Sequence, residues 1–144
     1  MDANYWAFAP IDPFYCPRAQ GIIRQARRRT KRRFQVIRYG QKKTYLDRLP
    51  PEILRVTANL LPSADVAAVQ KAMESYLGDG YWRSRVPDLF HEVRDLSSET
   101  LDWEYLCFEL ERLEFERNGQ LNGRRYVLQH LEEITRFVSG IIHV

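Results

Sequence analysis

The stretch Leu49-Pro50-Pro51-Glu52-Ile53-Leu54 decides the fold, together with Leu60-Leu61-Pro62 and Ser63-Ala64-Asp65-Val66, which follow it. Pro51 suits the first turn of a helix, because its fixed φ and its missing N–H cost nothing there. Pro62 ends that helix, since the residue before a proline is pushed out of the α region. The stretch therefore predicts two short helices joined at a proline corner. Their leucine-rich surface is too large for so small a unit to bury alone.

Apolar residues at helical spacing predict helices on both sides of this corner. Upstream, Pro17 and Gly40 bound a predicted helix with a thin apolar stripe. The members of that stripe are Ile22, Ala26, Thr30, Phe34 and Ile37. Downstream, we expect Ser63 to cap the second helix of the corner and Gly78 to end it.

Three more helices are predicted in the second half of the chain. A short helix occupies residues 81–85, and a longer one is capped by Ser98 or Thr100. The last helix follows a loop at residues 118–123 and ends before Gly140. The predicted core contains Trp82, Trp103, Leu106, Leu110, Leu131 and Ile134. No strand pattern competes with these helices, so the predicted fold class is all-α, a small helical bundle.

Charge is distributed unevenly along the chain. Residues 18–43 contain 11 Lys or Arg and no Asp or Glu, whereas residues 44–144 contain 11 basic and 17 acidic residues. The two halves therefore meet different partners, or they meet each other.

Cysteine content and hydropathy indicate a reducing compartment. Cys16 and Cys107 are the only cysteines, which suggests neither a disulfide framework nor a four-ligand zinc site. Cys107 is expected to be a buried and inert thiol. The N-terminus lacks the pattern of a signal peptide, and no uncharged stretch approaches the roughly 20 residues that cross a bilayer. We expect a cytoplasmic or nuclear protein with no membrane partner.

Two groups of motifs carry a family resemblance. The order Leu-Pro-x-Glu-aliphatic-aliphatic, Leu-Pro and Asp-aliphatic in residues 49–66 resembles the F-box, whose members dock on the Skp adaptor of Skp–cullin–F-box ubiquitin ligases. Tyr-Trp-Arg-Ser-Arg at 81–85, Leu-Phe-His-Glu at 89–92 and Leu-Asp-Trp-Glu-Tyr-Leu at 101–106 are similar to the pattern that follows the F-box in many proteins of filamentous fungi. The resemblance covers residues 46–138, about two thirds of the chain.

Composition and resemblance together divide the chain into four parts. Residues 1–17 are predicted to form an irregular arm rich in aromatic residues and prolines. Residues 18–43 form a basic segment that includes the first helix. Residues 44–96 form an F-box-like domain with its helical hairpin, and residues 97–144 form a helical extension packed on it.

The resemblance implies a non-catalytic adaptor that binds a Skp-type protein, and through it a cullin ligase, while holding an unknown substrate protein. The implied adaptor-binding residues are Leu49, Pro50, Ile53, Leu54, Leu61, Pro62 and Val66. Each fully buried Leu or Ile contributes about 1.5–3 kcal/mol, so a few such residues decide the affinity. Thr57 stands where the family usually has an aliphatic residue.

The densest positive charge lies in the first half of the chain, at Arg27, Arg28, Arg29, Lys31, Arg32 and Arg33. Such a run is typical of a nuclear-localisation signal, which an import receptor binds, and it also suits the phosphates of nucleic acid. Acidic lipid is a weaker candidate. A solvated linker, or an intramolecular match to the acidic helix around residues 104–116, explains the run equally well. The alternative function is thus a basic, nucleic-acid-associated module whose leucine-rich helices are only a core.

Motifs typical of enzymes are missing from the sequence. It contains no phosphate-binding loop, no dinucleotide-binding glycine motif and no Gly-x-Ser-x-Gly. The histidines, at positions 91, 130 and 143, are widely scattered. We therefore expect no catalytic residues, no cofactor and no metal site.

Overall fold

The structure, a computed structural model, describes residues 15–36, 48–73, 76–116 and 119–142, without the side chains of 31–36 and 119–120. Within these ranges the regular structure is helical and no strand occurs, which confirms the all-α prediction. The helices are α1 (Pro17–Val36), α2 (Pro51–Asn59), α3 (Ser63–Ala72), α4 (Asp79–Arg85), α5 (Trp103–Phe115) and α6 (Gly119–Ile142), with a 3-10 helix (His91–Leu96) between α4 and α5.

Helix α5 is the centre of the core, and both α1 and α4 pack against it. Its apolar stripe is completely buried and consists of Trp103, Leu106, Cys107, Leu110 and Leu113. The sequence predicted this stripe but not its cap. Asp102 caps α5 by accepting a hydrogen bond from the Tyr105 N–H at 3.1 Å. The predicted caps Ser98 and Thr100 were wrong, because the helix begins only at Trp103.

Helix α1 runs antiparallel to α5. Arg18 near its start meets Glu116 just beyond the end of α5, whereas Arg29 near its other end meets Asp102 at the start of α5. The buried stripe consists of Cys16, just before α1, and of Ala19, Ile23, Ala26 and Thr30 within the helix. Of the predicted stripe, Ala26 and Thr30 are buried, and the prediction did not include Ala19 and Ile23. Ile22 is half-buried. Of the remaining predicted positions, the Phe34 side chain and Ile37 lie outside the described residues.

The proline corner forms as predicted between α2 and α3. Ser63, however, does not cap α3, because its hydroxyl donates to a Glu111 carboxylate oxygen at 2.6 Å. Helix α3 ends at Ala72, well before Gly78. Gly78 adopts a φ of 98°, a left-handed conformation that only glycine adopts without strain, and α4 follows at once.

Helix α6 differs most from expectation. It begins at Gly119, within the predicted loop at residues 118–123, and it continues past Gly140 to Ile142. Leu121 and Arg124 are buried, but every residue from 129 to 140 is exposed. Leu131 and Ile134, which we predicted in the core, are 47% and 59% exposed. Periodicity shows which residues share a face of a helix, but not whether another element covers that face.

A search of the described helices found none that is both long and apolar enough to cross a membrane.

Candidate protein-binding surface

Helix α2 is apolar on two opposite faces. On its inner face Ala58 is buried, and Leu61, just after the helix, packs against the core. Its outer face carries aliphatic side chains that no described residue buries. A surface helix normally carries one apolar stripe, which faces the core, and polar residues on its other side. The outer face of α2 is therefore a candidate for covering by another molecule.

We define the α2 surface as four exposed aliphatic residues. Two lie on the outer face of the helix, one lies just before the helix and one lies just after it. Leu49, Ile53, Val56 and Leu60 are 40%, 50%, 61% and 81% exposed, respectively. Their spacing of four, three and four residues places them in one row along α2. Single exposed apolar residues are ordinary, but a contiguous row of them marks a site of interaction.

Thr57 lies beside this row, one helical turn after Ile53. Its hydroxyl donates to the Ile53 carbonyl oxygen at 2.9 Å, one turn earlier in the same helix. The bond satisfies the hydroxyl without a partner molecule, so a threonine is tolerated here, as expected for threonine in a helix. The side chain nevertheless offers less apolar area than a leucine would.

The structure separates the predicted adaptor-binding residues into three groups, which are exposed, half-buried and buried. Leu49 and Ile53 belong to the α2 surface, and Pro50 and Pro62 are exposed beside it. Leu54 and Leu61 are half-buried, and Leu61 packs against the core. Val66 is 1% exposed, so its prediction as a contact residue was wrong: α3 turns this side chain into the core.

Sequence analysis also missed two of the most exposed members, Val56 and Leu60. Their spacing from Ile53 was a usable signal, because i, i+3 and i+7 define one face of a helix. The sequence pattern had instead suggested one face made of Ile53, Leu54, Ala58 and Leu61, which mixes the exposed Ile53 with the buried Ala58. Since α2 is apolar on both sides, the sequence pattern alone did not distinguish the inner from the outer face.

Arg85 holds the proline corner in place. Its guanidinium donates from Nη1 to the Ala58 carbonyl at 3.1 Å and from Nη2 to the Leu61 carbonyl at 2.8 Å. The Ala58 carbonyl, in the last turn of α2, also accepts from the Leu61 N–H at 3.1 Å, whereas the Leu61 carbonyl lies just beyond the helix. A cation at this position also interacts favourably with the helix dipole.

Two further bonds of Arg85 extend this arrangement. Its Nε donates to the Ser63 hydroxyl at 3.0 Å, and its Nη1 also donates to the Tyr81 hydroxyl at 2.9 Å. Because Ser63 in turn donates to Glu111, the corner is tied to α5. Arg85 is the final residue of the 81–85 motif, so that motif positions the hairpin physically.

Trp82, in the same motif, fixes the position of α3. It is fully buried, and its indole N–H donates to the Gln70 side-chain carbonyl at 3.1 Å. The Gln70 amide donates to Glu104 at 3.0 Å. The ring also packs against Phe108, with centroids 5.6 Å apart. Helices α3, α4 and α5 therefore meet at one side chain.

A buried ion pair joins the 89–92 segment to α6. Arg124 donates to both Glu92 carboxylate oxygens, at 2.9 and 2.6 Å, and to the Leu89 carbonyl at 3.1 Å. The two side chains are 2% and 9% exposed. Such a pair tolerates burial because both ions are hydrogen-bonded. It anchors the first turns of α6 on the body of the protein.

The basic segment is partly paired within the molecule. Arg27 donates two hydrogen bonds of 2.8 Å to the Glu99 carboxylate. Arg29 lies 3.6 Å from Asp102, and its guanidinium lies over the Tyr105 ring at 4.2 Å. This agrees with the intramolecular alternative, although the partners cluster at the ends of α5 rather than along its acidic face.

Two carboxylates have a lowered pKa because of these pairs. Hydrogen bonding from Arg27 lowers the pKa of Glu99, and hydrogen bonding from Arg18 lowers the pKa of Glu116. All four side chains are substantially exposed, so each pair contributes little to stability.

Two arginines of α1 remain on its outer side. Arg24 and Arg28 are exposed and have no ion pair among the described residues. With Gly21, Gln25 and Arg29 they line an open cleft of about 640 Å³. Arg28 is the member of the predicted basic patch that stays available to a partner, while Lys31, Arg32 and Arg33 lie outside the described side chains.

The described residues offer little reactive chemistry. Burial raises the pKa of the Cys107 thiol to about 12, with a further contribution from Glu111. Inside the part of the chain that the structure describes, no cluster of three His, Cys, Asp or Glu has the geometry to hold a metal ion. His91, expected at the surface, is half-buried, and its Nε2 atom has no hydrogen-bond partner.

Comparison with protein-family models, with curated proteins and with solved structures found no match for this chain.

Proposed function

We propose that this chain is an F-box-type, non-catalytic subunit that docks on the Skp adaptor of a Skp–cullin–F-box ubiquitin ligase. The observation that carries the proposal is the α2 surface. This surface is an exposed aliphatic row that begins at the first residue of the F-box-like motif, and its members are Leu49, Ile53, Val56 and Leu60. The inner face of the same helix already packs against the core. A structural core alone does not account for side chains that are 40–81% exposed.

The downstream motifs support the proposal in a second way. Arg85 and Trp82 hold the α2–α3 hairpin from α4, so the two motif groups act as one physical unit. A preformed hairpin binds without the entropic cost of ordering its own backbone.

The proposed mechanism is non-covalent. The chain binds the adaptor through the α2 surface and a substrate protein through another part of its surface. Holding the substrate near the ubiquitin-carrying enzyme raises its effective concentration, and the chemistry belongs to other subunits.

The experiment is co-purification with a recombinant Skp adaptor. The chain should retain the adaptor in moderate salt, because the contact is mainly apolar and weakly screened. Replacing two members of the α2 surface, Ile53→Asp with Val56→Asp, should abolish retention. These positions are exposed in the free protein, so the variant should keep its fold.

Arg55→Asp is the matched control. Arg55 is exposed on the same helix but lies away from the α2 surface, and its replacement changes the net charge by the same −2. Retention by this control, with loss in the double variant, supports docking through the α2 surface. Equal retention by all three proteins would rule out the α2 surface as the adaptor site.

A second candidate function rests on the cleft beside α1. Arg24 and Arg28 lie one helical turn apart on the outer face, where they are free to contact the phosphates of nucleic acid. This observation favours the alternative of a basic, nucleic-acid-associated module. That alternative also assumes that the leucine-rich helices are only a structural core. The exposed α2 surface argues against this assumption.

Salt-dependent binding separates the two candidates. Nucleic-acid binding predicts an affinity for a short duplex whose logarithm falls steeply with log salt. Arg24→Ala with Arg28→Ala should reduce that slope by about 2. Arg27→Ala should change it less, because Arg27 is already paired with Glu99. No measurable affinity at low salt would eliminate this candidate.

A third proposal concerns cellular location. A cytoplasmic and nuclear distribution fits the ligase function, and residues 18–43 would act as the import signal. A reporter fused to this segment should accumulate in nuclei, and a reporter that stays cytoplasmic would remove the import proposal without touching the adaptor proposal.

A further inference from the structure

The C-terminal half of α6 carries an apolar stripe that nothing in the described structure covers. Leu131, Ile134, Val138 and Ile141 are 47%, 59%, 46% and 59% exposed. Phe137 and Ile142, at the edges of the stripe, are 72% and 74% exposed. A helix that is exposed on every side gains no tertiary packing, which is the main source of helix stability in proteins.

The spacing of the stripe identifies the shape of what covers it. From Val127 onward the apolar positions follow each other at four, three, four and three residues. This is the heptad spacing of helices that pack with side chains in the holes of a facing helix. The stripe therefore fits another helix better than it fits an extended segment or a flat surface.

The residues that flank the stripe suit a second copy of the same helix. His130, Thr135, Phe137 and Ile142 occupy the flanking heptad positions, and none carries a fixed charge. Two identical helices therefore meet without repulsion between like charges at the edges of the contact. The charged side chains, Glu132, Glu133 and Arg136, lie on the other faces, where Arg136 pairs with Glu132 at 2.6 Å.

Charge outside the contact favours one orientation over the other. Both acids, Glu132 and Glu133, lie in the first half of the exposed segment, and no acid lies in its second half. In an antiparallel pair the acids of the two copies are at opposite ends. The stripe then matches itself, with Leu131 beside Ile141 of the other copy and Ile134 beside Val138.

The available area is compatible with a modest dimer. The exposed segment of 14 residues is about 21 Å long. Its six exposed apolar side chains are fewer than the roughly 20–30 residues that each partner contributes to a standard interface, which buries about 800 Å² per partner. We therefore infer that two copies of this chain pair through the α6 stripe, antiparallel and reversibly, at micromolar concentrations.

Sedimentation equilibrium of the full chain tests this inference. Between about 5 and 200 μM, the range in which a micromolar dimer forms, the average mass should rise from 17.1 kDa towards twice that value. Val138→Asp should keep the mass at the monomer value. Gln129→Asp, on the opposite face of the same helix, should associate as the original chain does. A monomer at every concentration, or association retained in Val138→Asp, would overturn the inference.

Disulfide crosslinking tests the orientation. The natural cysteines, Cys16 and Cys107, are only 1% and 0% exposed, so an introduced thiol dominates the reaction. A mixture of Leu131→Cys and Ile141→Cys should give the mixed disulfide in an antiparallel pair. Leu131→Cys crosslinking mainly with itself would contradict that arrangement. Neither result depends on the adaptor proposal, because the α2 surface is left unchanged.

Discussion

A single arginine controls the geometry of the proposed binding hairpin. Arg85 donates to two carbonyls at and just beyond the end of α2 and to Ser63, which in turn reaches α5. We predict that Arg85→Ala lowers the free energy of unfolding by about 2–4 kcal/mol, because it leaves partly buried acceptors without a donor. Urea denaturation measures this change.

Two further variants make the Arg85 measurement specific. Arg94→Ala removes an exposed arginine of the 3-10 helix and should change stability by no more than about 0.5 kcal/mol. Arg85→Lys keeps the charge but loses the planar fork, so it should recover only part of the stability. Full recovery with lysine would show that charge, rather than the hydrogen-bond pattern, holds the corner.

The buried thiol of Cys107 makes stability depend on alkaline pH. Burial raises its pKa from 9.0 to about 12 in the folded protein. Above pH 9 the unfolded chain loses this proton while the folded chain keeps it, so the free energy of unfolding falls as pH rises. By pH 10.5 the loss from this group amounts to about 2 kcal/mol.

Comparison with Cys107→Ala isolates this contribution. The variant lacks the thiol, so its stability should fall about 2 kcal/mol less than that of the original chain between pH 8 and pH 10.5. The small cavity that the alanine leaves lowers the stability of the variant by the same amount at pH 8 and at pH 10.5. Parallel curves for the two proteins would mean that the thiol ionises in the folded state as readily as in the unfolded state.

At the scale of helices, sequence patterns located most elements but not their surroundings. The stripe of α5 and the corner at Pro62 follow directly from spacing and from proline chemistry. The stripe of α6 was recognised as well, yet its position outside the core was not. Whether a face is covered depends on which elements the tertiary fold brings beside it, and spacing within one helix carries no such information.

The proposed site shows the same division. The sequence prediction placed the site on α2 and α3, and two of its residues, Leu49 and Ile53, belong to the exposed row of α2. It missed Val56 and Leu60 and included Val66, which is buried. Hydrogen bonds between distant parts of the chain decide which residues are exposed. Arg85 bonds to Leu61, 24 residues away, and Trp82 bonds to Gln70, 12 residues away. Both bonds set the orientation of the α2–α3 hairpin from α4.

The threonine beside the α2 surface offers a test by improvement rather than damage. We predict that Thr57→Leu tightens binding of the Skp adaptor about three- to tenfold, because it adds apolar area next to Ile53 and widens the row. Isothermal titration calorimetry with purified adaptor measures the affinity.

Arg55→Leu is the comparison for this prediction. It adds the same apolar side chain at an exposed position of α2 that lies away from the row. An equal gain from both variants would indicate general stickiness rather than a defined contact, and no gain from Thr57→Leu would place Thr57 outside the interface.

At the scale of the whole molecule, the basic and acidic halves of the chain meet in one core. Helix α1 contributes Cys16, Ala19, Ile23 and Ala26 to the buried cluster that also contains the α5 stripe. The exposed pairs Arg18–Glu116 and Arg27–Glu99 lie beside this apolar contact. Burial of apolar area, rather than the surface ion pairs, therefore carries most of the attachment of α1.

This arrangement predicts that α1 and α5 unfold together. Ile23→Ala removes a side chain that is 2% exposed and should lower the free energy of unfolding by about 2–4 kcal/mol.

Two spectroscopic probes test whether the helices unfold together. In a Trp6→Phe background, fluorescence reports on Trp82 and Trp103 in the rest of the core. That signal and far-UV circular dichroism should shift by the same amount in urea, because a single cooperative transition moves all probes together. Arg28→Ala, exposed on the outer side of α1, should leave both transitions in place. If α1 were an appended helix outside the cooperative unit, Ile23→Ala would alter the dichroism while the tryptophan transition stayed where it was.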